Sequence, residues 1–316
     1  MKSVIPVRNK DFIETAEGLV FAVLVDNTEA DRHLCFLRYL RADSGYRKVT
    51  TGEAKQLIHE DFAQYRFYSR QRDVEVHGVR DKQIVRHYRP MQRLREILES
   101  ARPDAIEDKL IRVATLLEEN GLPLHRIGVT GSLLIGAQST RSDIDLVVYG
   151  REEFDQLRHI VQHAILEKVL EPLNDAEWRE AYRRRACSLS FDEYCWHEQR
   201  KFNKACLSGT KIDFSFVPEF AEEPEPAHRK IESTEIIAQV TDARRAFDTP
   251  ARYQVAHPEI LEILSFTPTF AGQAIAGETI VARGMLEESE RGTRRLVIGS
   301  SREAPGEFLK VSKTPT

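Results

Sequence analysis

The sequence is poor in cysteine and contains no long apolar segment. Its four cysteines, Cys35, Cys187, Cys195 and Cys206, form no C-x-x-C pair and show no disulfide-scaffold spacing. No apolar run reaches the roughly 18 residues of a transmembrane helix. The first residues, MKSVIPVRNKDFIET, lack the apolar core of a secretory signal. We therefore expect a cytoplasmic protein with reduced thiols and no membrane association.

Several common functional signatures are also missing. The net charge of -4 gives no global electrostatic reason to expect nucleic-acid binding. No nucleophile elbow, P-loop or dinucleotide-binding glycine pattern occurs, and no internal repeat has a fixed period. Three cysteines and His197 lie close together between residues 187 and 206. Their spacing matches no common zinc motif, and we interpret them as ordinary core residues.

The composition favours a globular protein with more than one domain, since 41% of its 316 residues are hydrophobic and 30% are charged. We predict an N-terminal β-rich domain with a basic segment over 1–90 and a mixed domain over 91–220. Residues 221–316 would supply a linker and a small, barrel-like C-terminal β domain. The Pro- and Glu-rich stretch AEEPEPAHRK marks that linker, and the tail SKTPT is predicted to be disordered.

Residues 64–96 combine positive charge with aromatic rings. The segment carries nine Lys/Arg against three Asp/Glu before Glu96. Its aromatic residues are Tyr65, Phe67, Tyr68 and Tyr88. Such a stretch could contact phosphates and stack on bases. The alternative is a solvated arginine-rich linker and helix whose aromatics enter the core, and the acidic charge of the whole chain favours it.

The middle of the chain alternates helical and strand patterns. Helical spacing of apolar residues occurs in MQRLREILES, PDAIEDKLIRVATLLEEN, EEFDQLRHIVQHAILEKVL and DAEWREAYRRRA. Apolar strands are indicated at HRIGVTG and DIDLVVYG, and NKACLSGTKIDFSFVP reads as a hairpin turning at Ser208–Gly209. This order predicts a mixed α/β domain.

The stretch GVTGSLLIGAQSTRSDIDLVVYG joins a possible phosphate-binding turn to a pair of carboxylates. Gly131 and Ser132 follow a strand, where a glycine lets a phosphate approach the backbone closely. Asp143 and Asp145 share one face of the next strand, because side chains repeat every two residues. Two like charges side by side repel, and a divalent metal is the usual compensation.

A third carboxylate comes much later in the chain. Asp213 lies in KIDFSFV, where the apolar neighbours Ile212 and Phe214 point to the opposite face. If this strand pairs beside 143–149, three carboxylates meet at one edge of a sheet. Such oxygen ligands suit Mg²⁺ or Mn²⁺ in a two-metal phosphoryl-transfer site.

This arrangement resembles the nucleotidyltransferase superfamily of DNA polymerase beta, whose signature is Gly-Ser, Asp-x-Asp and a third carboxylate on a later strand. The resemblance covers roughly residues 100–220. It implies an α+β fold with a mixed sheet and helices, and the transfer of a nucleoside monophosphate from an NTP. It also implies metal ligands at Asp143 and Asp145 and a third acid, also a metal ligand, at Asp213. By the same match, Gly131 and Ser132 would contact phosphate.

One departure from the family concerns positive charge. Many minimal members carry arginines just after Gly-Ser, where this chain has Leu133, Leu134 and Ile135. A cation for the nucleotide must then come from elsewhere. The candidates are Lys211, which we assign to nucleotide binding, and Lys204, Lys201, Arg200 and Arg141.

Two functions follow from the resemblance. The first is a Mg²⁺-dependent nucleotidyltransferase that uses an NTP and transfers the nucleotide to a hydroxyl of RNA, a protein or a small molecule, releasing pyrophosphate. The second is a catalytically inactive relative that senses nucleotide or binds RNA or protein. Three clustered carboxylates favour the enzyme, and the missing arginines favour the sensor.

Overall fold

The computed structural model describes residues 6–70, 74–220, 228–299 and 306–312. The chain divides into two compact units, the first formed by Met1–Glu171 with Ala205–Pro224 and the second by Pro172–Lys204 with Glu225–Thr316. The predicted linker at 221–227 and the predicted disordered tail at 313–316 lie outside the described residues. The three-domain division remains a prediction.

The first unit begins with a seven-stranded sheet. Its strands are β1 (Phe12–Thr15), β2 (Leu19–Glu29), β3 (Arg32–Ala42), β4 (Gly45–Lys48), β5 (Arg66–Ser69), β6 (Val74–Val79) and β7 (Ile84–Tyr88). The strand order is β5-β6-β3-β2-β1-β7, and β4 pairs with β3. The strands predicted on either side of the Glu17–Gly18 turn are present as β1 and β2.

The basic segment over residues 64–96 contains the strands β5, β6 and β7 before the helix that begins at Pro90. The prediction of a linker and helix there is therefore wrong for most of its length. The segment is rich in charge, yet β6 is hydrogen-bonded between β3 and β5, so its backbone groups are satisfied by strands distant in sequence. The edge strands β5 and β7 carry one arginine each, Arg66 and Arg86, and most of the other basic residues lie outside the three strands. Tertiary pairing therefore overrides the local pattern here.

The N-terminal sheet buries both of its faces. Ile13 and Phe21 lie in a core with Ile58 of the helix α1 (Thr51–Glu60). Phe12 and Val20, one position away, belong to a second cluster on the opposite face. The alternation follows from the two-residue period of a strand. Helix α1 begins at Thr50, which forms a capping box with Glu53.

A four-stranded mixed sheet completes the first unit. Its strands are β8 (Ile127–Thr130), β9 (Ile144–Tyr149), β10 (Lys204–Leu207) and β11 (Thr210–Val217), in the order β10-β11-β9-β8. Strand β9 is antiparallel to β8 and parallel to β11. The hairpin turns at Ser208–Gly209, where both residues have positive φ as type I′ turns require.

Helices accompany this sheet at the positions expected from apolar spacing. They are α2 (Pro90–Leu98), α3 (Ala105–Glu119), the short α4 (Gly131–Leu134) and α5 (Arg151–Leu166). Helix α2 approaches β8 closely, since a Cβ on Gly128 would lie 2.6 Å from the Cβ of Pro90. Glycine is required there because the helix start lies against the strand backbone.

The second unit contains two helices and six strands among the described residues. They are α6 (Asp175–Arg185), α7 (Phe191–Gln199), β12 (His228–Asp242), β13 (Ala251–Ala256), β14 (Ile260–Ser265), β15 (Thr279–Ser289), β16 (Arg294–Ile298) and β17 (Phe308–Val311). The pairings β12-β13-β14-β16-β15 close on themselves through β12 and β15. Residues 228–230, predicted as linker, are the first residues of β12. The predicted α+β class, with a nucleotidyltransferase-like mixed sheet flanked by an N-terminal and a C-terminal β region, is confirmed.

A buried group of charges lies in the second unit. Glu198 and Lys201, with side chains 3% and 1% exposed, form an ion pair. The Nζ of Lys204 is 2.7 Å from Glu198 Oε2, and the Nζ of Lys201 donates to the carbonyl of Thr269 at 2.8 Å. Burial opposes ionisation of Glu198, but the two lysines outweigh it and lower the pKa of this carboxyl to about 2. The carboxylate of Glu198 is therefore stabilised by both lysines, whereas burial lowers the pKa of Lys201 to about 8.

The neighbouring His197 is also buried and uses both ring nitrogens. Nδ1 contacts the carbonyl of Glu193 at 2.6 Å, and Nε2 accepts from the backbone N–H of Val311 at 3.1 Å. Burial lowers the pKa of His197 to about 4, so the ring is neutral.

No helix in the described ranges has the length and apolar character needed to span a bilayer.

Candidate functional site

The three aspartates lie on neighbouring strands of the mixed sheet. Asp143 immediately precedes β9, Asp145 is the second residue of β9, and Asp213 lies on β11. In the parallel register of β9 and β11, Asp213 is the direct partner of Asp145. The pairing on which the sequence argument depended is therefore present. It brings together carboxylates that are far apart in the chain, and their proposed catalytic and metal-binding roles remain predictions.

The Gly131 turn allows Asp145 to approach the end of β8. Thr130, the last residue of β8, is the antiparallel partner of Asp145. Gly131 has φ +66°, and a Cβ at this position would lie 2.2 Å from Asp145 Oδ2. Any side chain would therefore collide with the carboxylate as well as strain the backbone. Ser132 follows in α4 and is half-buried.

Lys211 is the cation placed directly among the aspartates. Its Nζ lies 3.2 Å from Asp143 Oδ2 and 2.6 Å from Asp213 Oδ2. Its side chain is only 11% exposed, whereas those of Asp143 and Asp213 are 39% and 26% exposed. The residue predicted to bind nucleotide thus bridges two of the predicted metal ligands.

The site remains short of positive charge despite Lys211. Burial raises the pKa of Asp145 to about 6, and the carboxylates of Asp213 and Asp143 add to this effect, while Lys211 and Lys10 oppose it. Three hard oxygen donors with uncompensated charge fit a divalent cation such as Mg²⁺ or Mn²⁺. The described part of the chain contains no group of three or more His, Cys, Asp or Glu side chains already arranged around one metal position.

The apolar residues after Gly-Ser have a structural role. Leu133, Leu134 and Ile135 are all buried. Leu134 and Ile135 belong to the second N-terminal cluster together with Phe12 and Val20. Many minimal members carry arginines at these positions. In this chain the apolar side chains instead pack the turn after Gly131 against the N-terminal sheet. This packing explains the departure from the family pattern.

The other candidate cations of the sequence analysis have partners elsewhere or lie on the surface. Lys201 and Lys204 pair with Glu198, and Arg200 pairs with Glu278. Arg141 is exposed in the segment before Asp143.

A cation that sequence reasoning missed is Lys10, just before β1. Its backbone carbonyl accepts a hydrogen bond from Thr130 Oγ1 at 3.1 Å. No local signal could have revealed this contact, since the two residues are 120 positions apart.

The fold and the carboxylate cluster together define a nucleotidyltransferase-type domain. Residues 110–188 match the family model described as a nucleotidyltransferase domain, a range that includes Gly131, Ser132, Asp143 and Asp145. The chain belongs to the nucleotidyltransferase superfamily.

The likeness to a relative extends over nearly the whole chain. The chain is 33% identical over 338 aligned residues to Uncharacterized protein MJ1086 of Methanocaldococcus jannaschii, covering 97% of this chain and 99% of the relative. No solved structure matches the chain. The two end regions therefore have a counterpart in this relative.

Proposed function

We propose that this protein is a metal-dependent nucleotidyltransferase that transfers a nucleoside monophosphate from an NTP to a hydroxyl acceptor. The supporting observation is the register of β9 and β11, which sets Asp213 opposite Asp145, with Asp143 two residues before it. The family match over residues 110–188 supports the same chemistry.

In the proposed reaction the acceptor oxygen attacks the α-phosphorus of the NTP. A new P–O bond forms, the bond from the α-phosphorus to the oxygen bridging to the β-phosphate breaks, and pyrophosphate leaves with that electron pair. Asp213 accepts the proton of the hydroxyl. Gly131 and Ser132 hold the phosphates close to the backbone of the turn.

The three aspartates would hold the divalent metal. A bound Mg²⁺ or Mn²⁺ supplies charge neutralisation at the phosphates and a lower pKa of the attacking hydroxyl. Asp145 would gain from a bound cation, because burial and its two neighbouring carboxylates raise its pKa and so disfavour its charged form. Lys211 would change partners from Asp143 and Asp213 to phosphate when nucleotide binds.

Pyrophosphate release tests the proposal directly. The protein is incubated with each of the four NTPs, with Mg²⁺ or Mn²⁺, and with total cellular RNA or a protein lysate as acceptor. The Asp143→Asn, Asp145→Asn double variant serves as the blank. Release that requires the aspartates and one acceptor pool would establish the enzyme and its acceptor class; the absence of release with every combination would contradict the proposal.

A nucleotide sensor is the second candidate, because the positions after Gly-Ser are used for packing and Lys211 is held by two carboxylates. Mg²⁺ with NTP would raise the melting temperature in either case. Binding without release of pyrophosphate would favour the sensor. Release that depends on Asp145 would exclude it.

RNA is the acceptor for which the N-terminal sheet offers some support. Tyr68 is 54% exposed and Arg86 on β7 is also exposed, whereas Tyr65 and Tyr88 are buried and cannot stack on bases. Charge reversal at Arg86 and Arg89 should weaken RNA binding and reduce its salt dependence, since each phosphate contact releases counterions. Arg158→Glu on α5 is the control. Equal RNA binding by all variants would remove this acceptor surface.

A further inference from the structure

The segment just before β1 runs along the mixed sheet of the first unit. Arg8 donates to the carbonyl of Pro218, after the end of β11, and lies over the ring of Tyr149 at 5.4 Å. Two residues later, the carbonyl of Lys10 accepts from Thr130 at the opposite end of the neighbouring strands. The segment thus reaches from one end of the sheet to the aspartates.

Backbone contacts fix Lys10 at this point. Its N–H donates to the carbonyl of Val23 at 3.2 Å, and its carbonyl accepts from Thr130 Oγ1 at 3.1 Å. Lys10 has φ +74°, a left-handed conformation that is strained for a residue other than glycine. Such strain persists where the surrounding structure holds it, and it is often found at functional sites.

The backbone of Lys10 lies beside the carboxylate site. Thr130, which holds the Lys10 backbone, is the strand partner of Asp145 and immediately precedes Gly131. Lys10 therefore places a second lysine next to the strand that carries Asp145, beside the group formed by Lys211 and the three aspartates.

A triphosphate needs more positive charge than Lys211 alone provides. The turn after Gly131 contributes no cation, because Leu133, Leu134 and Ile135 are buried and apolar. Lys10 lies beside the same turn, but it belongs to the segment before β1. A charge at Lys10 therefore leaves the apolar packing of Leu133, Leu134 and Ile135 in place. An ammonium is a compact donor with three N–H groups that suits a phosphate oxygen.

We propose that Lys10 is a substrate-binding residue that contacts the polyphosphate of the bound NTP, in place of the arginine that follows Gly-Ser in many minimal family members. This inference rests on the proposed nucleotidyltransferase function. It assigns to the N-terminal segment a direct part in nucleotide recognition.

Calorimetric titration of two sets of nucleotides tests this role. Wild-type protein, Lys10→Gln, Lys10→Arg and the control Lys82→Gln are titrated with the four NTPs and the four monophosphates, each with Mg²⁺. Lys10→Gln should weaken NTP binding at least about 10-fold, the effect of losing one charge-assisted hydrogen bond, and leave monophosphate binding unchanged. Lys10→Arg should retain most of the affinity, and Lys82→Gln should match the wild type.

Other outcomes separate this inference from the proposed function. Unchanged NTP binding by Lys10→Gln, or equal losses for triphosphates and monophosphates, would overturn the role of Lys10 and leave the nucleotidyltransferase proposal intact. Wild-type protein that binds no nucleotide with Mg²⁺ would overturn both. Lys10→Gly, which removes the side chain and suits the positive φ, replaces Lys10→Gln if that variant has a lowered melting temperature without nucleotide.

Discussion

The two units each contain a cluster of charged side chains, and the clusters behave in opposite ways. In the first unit, burial and two neighbouring carboxylates raise the pKa of Asp145 to about 6. In the second, Lys201 and Lys204 outweigh burial and lower the pKa of Glu198 to about 2. Burial opposes the ionisation of both carboxylates, so burial alone does not decide the direction of the shift.

The ratio of cations to carboxylates accounts for the difference. One glutamate meets two lysines in the second unit, whereas three aspartates meet Lys211 and Lys10 in the first. The first arrangement has an excess of negative charge, which a further cation would relieve. In the second the excess is positive, and burial lowers the pKa of Lys201 to about 8. The sign of the excess charge thus distinguishes a candidate cation site from a structural ion pair.

Replacing Glu198 should have the largest effect on stability. Glu198→Gln leaves the ammonium groups of Lys201 and Lys204 without their carboxylate in a buried environment, and we expect the free energy of unfolding to fall by about 3–5 kcal/mol. Urea denaturation measures the change. The control is Glu259→Gln, whose exposed pair with Arg294 should contribute less than about 1 kcal/mol. Similar losses in the two variants would contradict the structural role of the Glu198 cluster.

Asp145→Asn should show the reverse behaviour, with activity lost and the fold retained. We expect pyrophosphate release to fall by about 100- to 1,000-fold, as for the removal of a charge that stabilises a transition state. The melting temperature without metal should stay the same or rise, because one of three repelling carboxylates is gone. Initial rates and thermal unfolding on the same preparations provide the test. A variant that keeps its activity would remove Asp145 from the mechanism.

The pH dependence of stability should separate the two carboxylates. A carboxyl whose pKa is raised from 3.8 to about 6 destabilises the folded state above pH 6, and this cost disappears as pH falls toward 4. In EDTA, Asp145→Asn should therefore be more stable than wild type at pH 8, with the gap closing between pH 6 and pH 4. Urea denaturation across this range measures the gap. A gap that widens on acidification would mean that Asp145 is stabilised as a carboxylate.

His197 supplies a contrasting pH effect in the second unit. Its pKa is lowered from 6.5 to about 4, so the neutral ring stabilises the fold above pH 6.5 and this contribution is lost as pH falls toward 4. Between pH 6.5 and pH 4, the free energy of unfolding of His197→Gln should accordingly fall less steeply than that of wild type. Equal slopes of unfolding free energy against pH for the two proteins would show that protonation of His197 does not contribute.

Gly131→Ala should have a small effect on stability and a specific effect on the site. The positive φ and the 2.2 Å approach to Asp145 Oδ2 predict a loss of about 1–2 kcal/mol. Nucleotide binding should weaken as well, because the carboxylate has to move. Gly136→Ala, also at positive φ but with nothing within 4 Å of its Cβ, controls for backbone strain. Equal effects on nucleotide binding would show that the close approach is unimportant.

Features set by neighbouring residues were predictable from the sequence. The strand before Gly131, the pair at Asp143 and Asp145 and the turn at Ser208–Gly209 depend on local periodicity and turn chemistry, and each is present. The sequence predicted that Asp213 meets Asp145 only on the condition that their two strands pair. The register is a property of both strands together and cannot be derived from either one alone.

Features set by distant contacts were not predictable. Strands β5 to β7 are short segments between charged turns, and other strands of the sheet supply their hydrogen bonds. Leu134 and Ile135 were noted only for the arginines they replace, and their packing against Phe12 depends on a sheet encoded far upstream. Lys10 joins the site through a backbone contact with Thr130, for which no spacing rule exists.

The discontinuity of the first unit has a consequence for biosynthesis. The chain leaves this unit after Glu171 and returns at Ala205, so β11 and its aspartate are translated only after α6 and α7. A nascent chain that has emerged as far as Arg200 carries the Gly-Ser turn and two acidic side chains but lacks the third. The three carboxylates can therefore come together only after the ribosome has passed the segment that interrupts this unit, when most of the polypeptide exists.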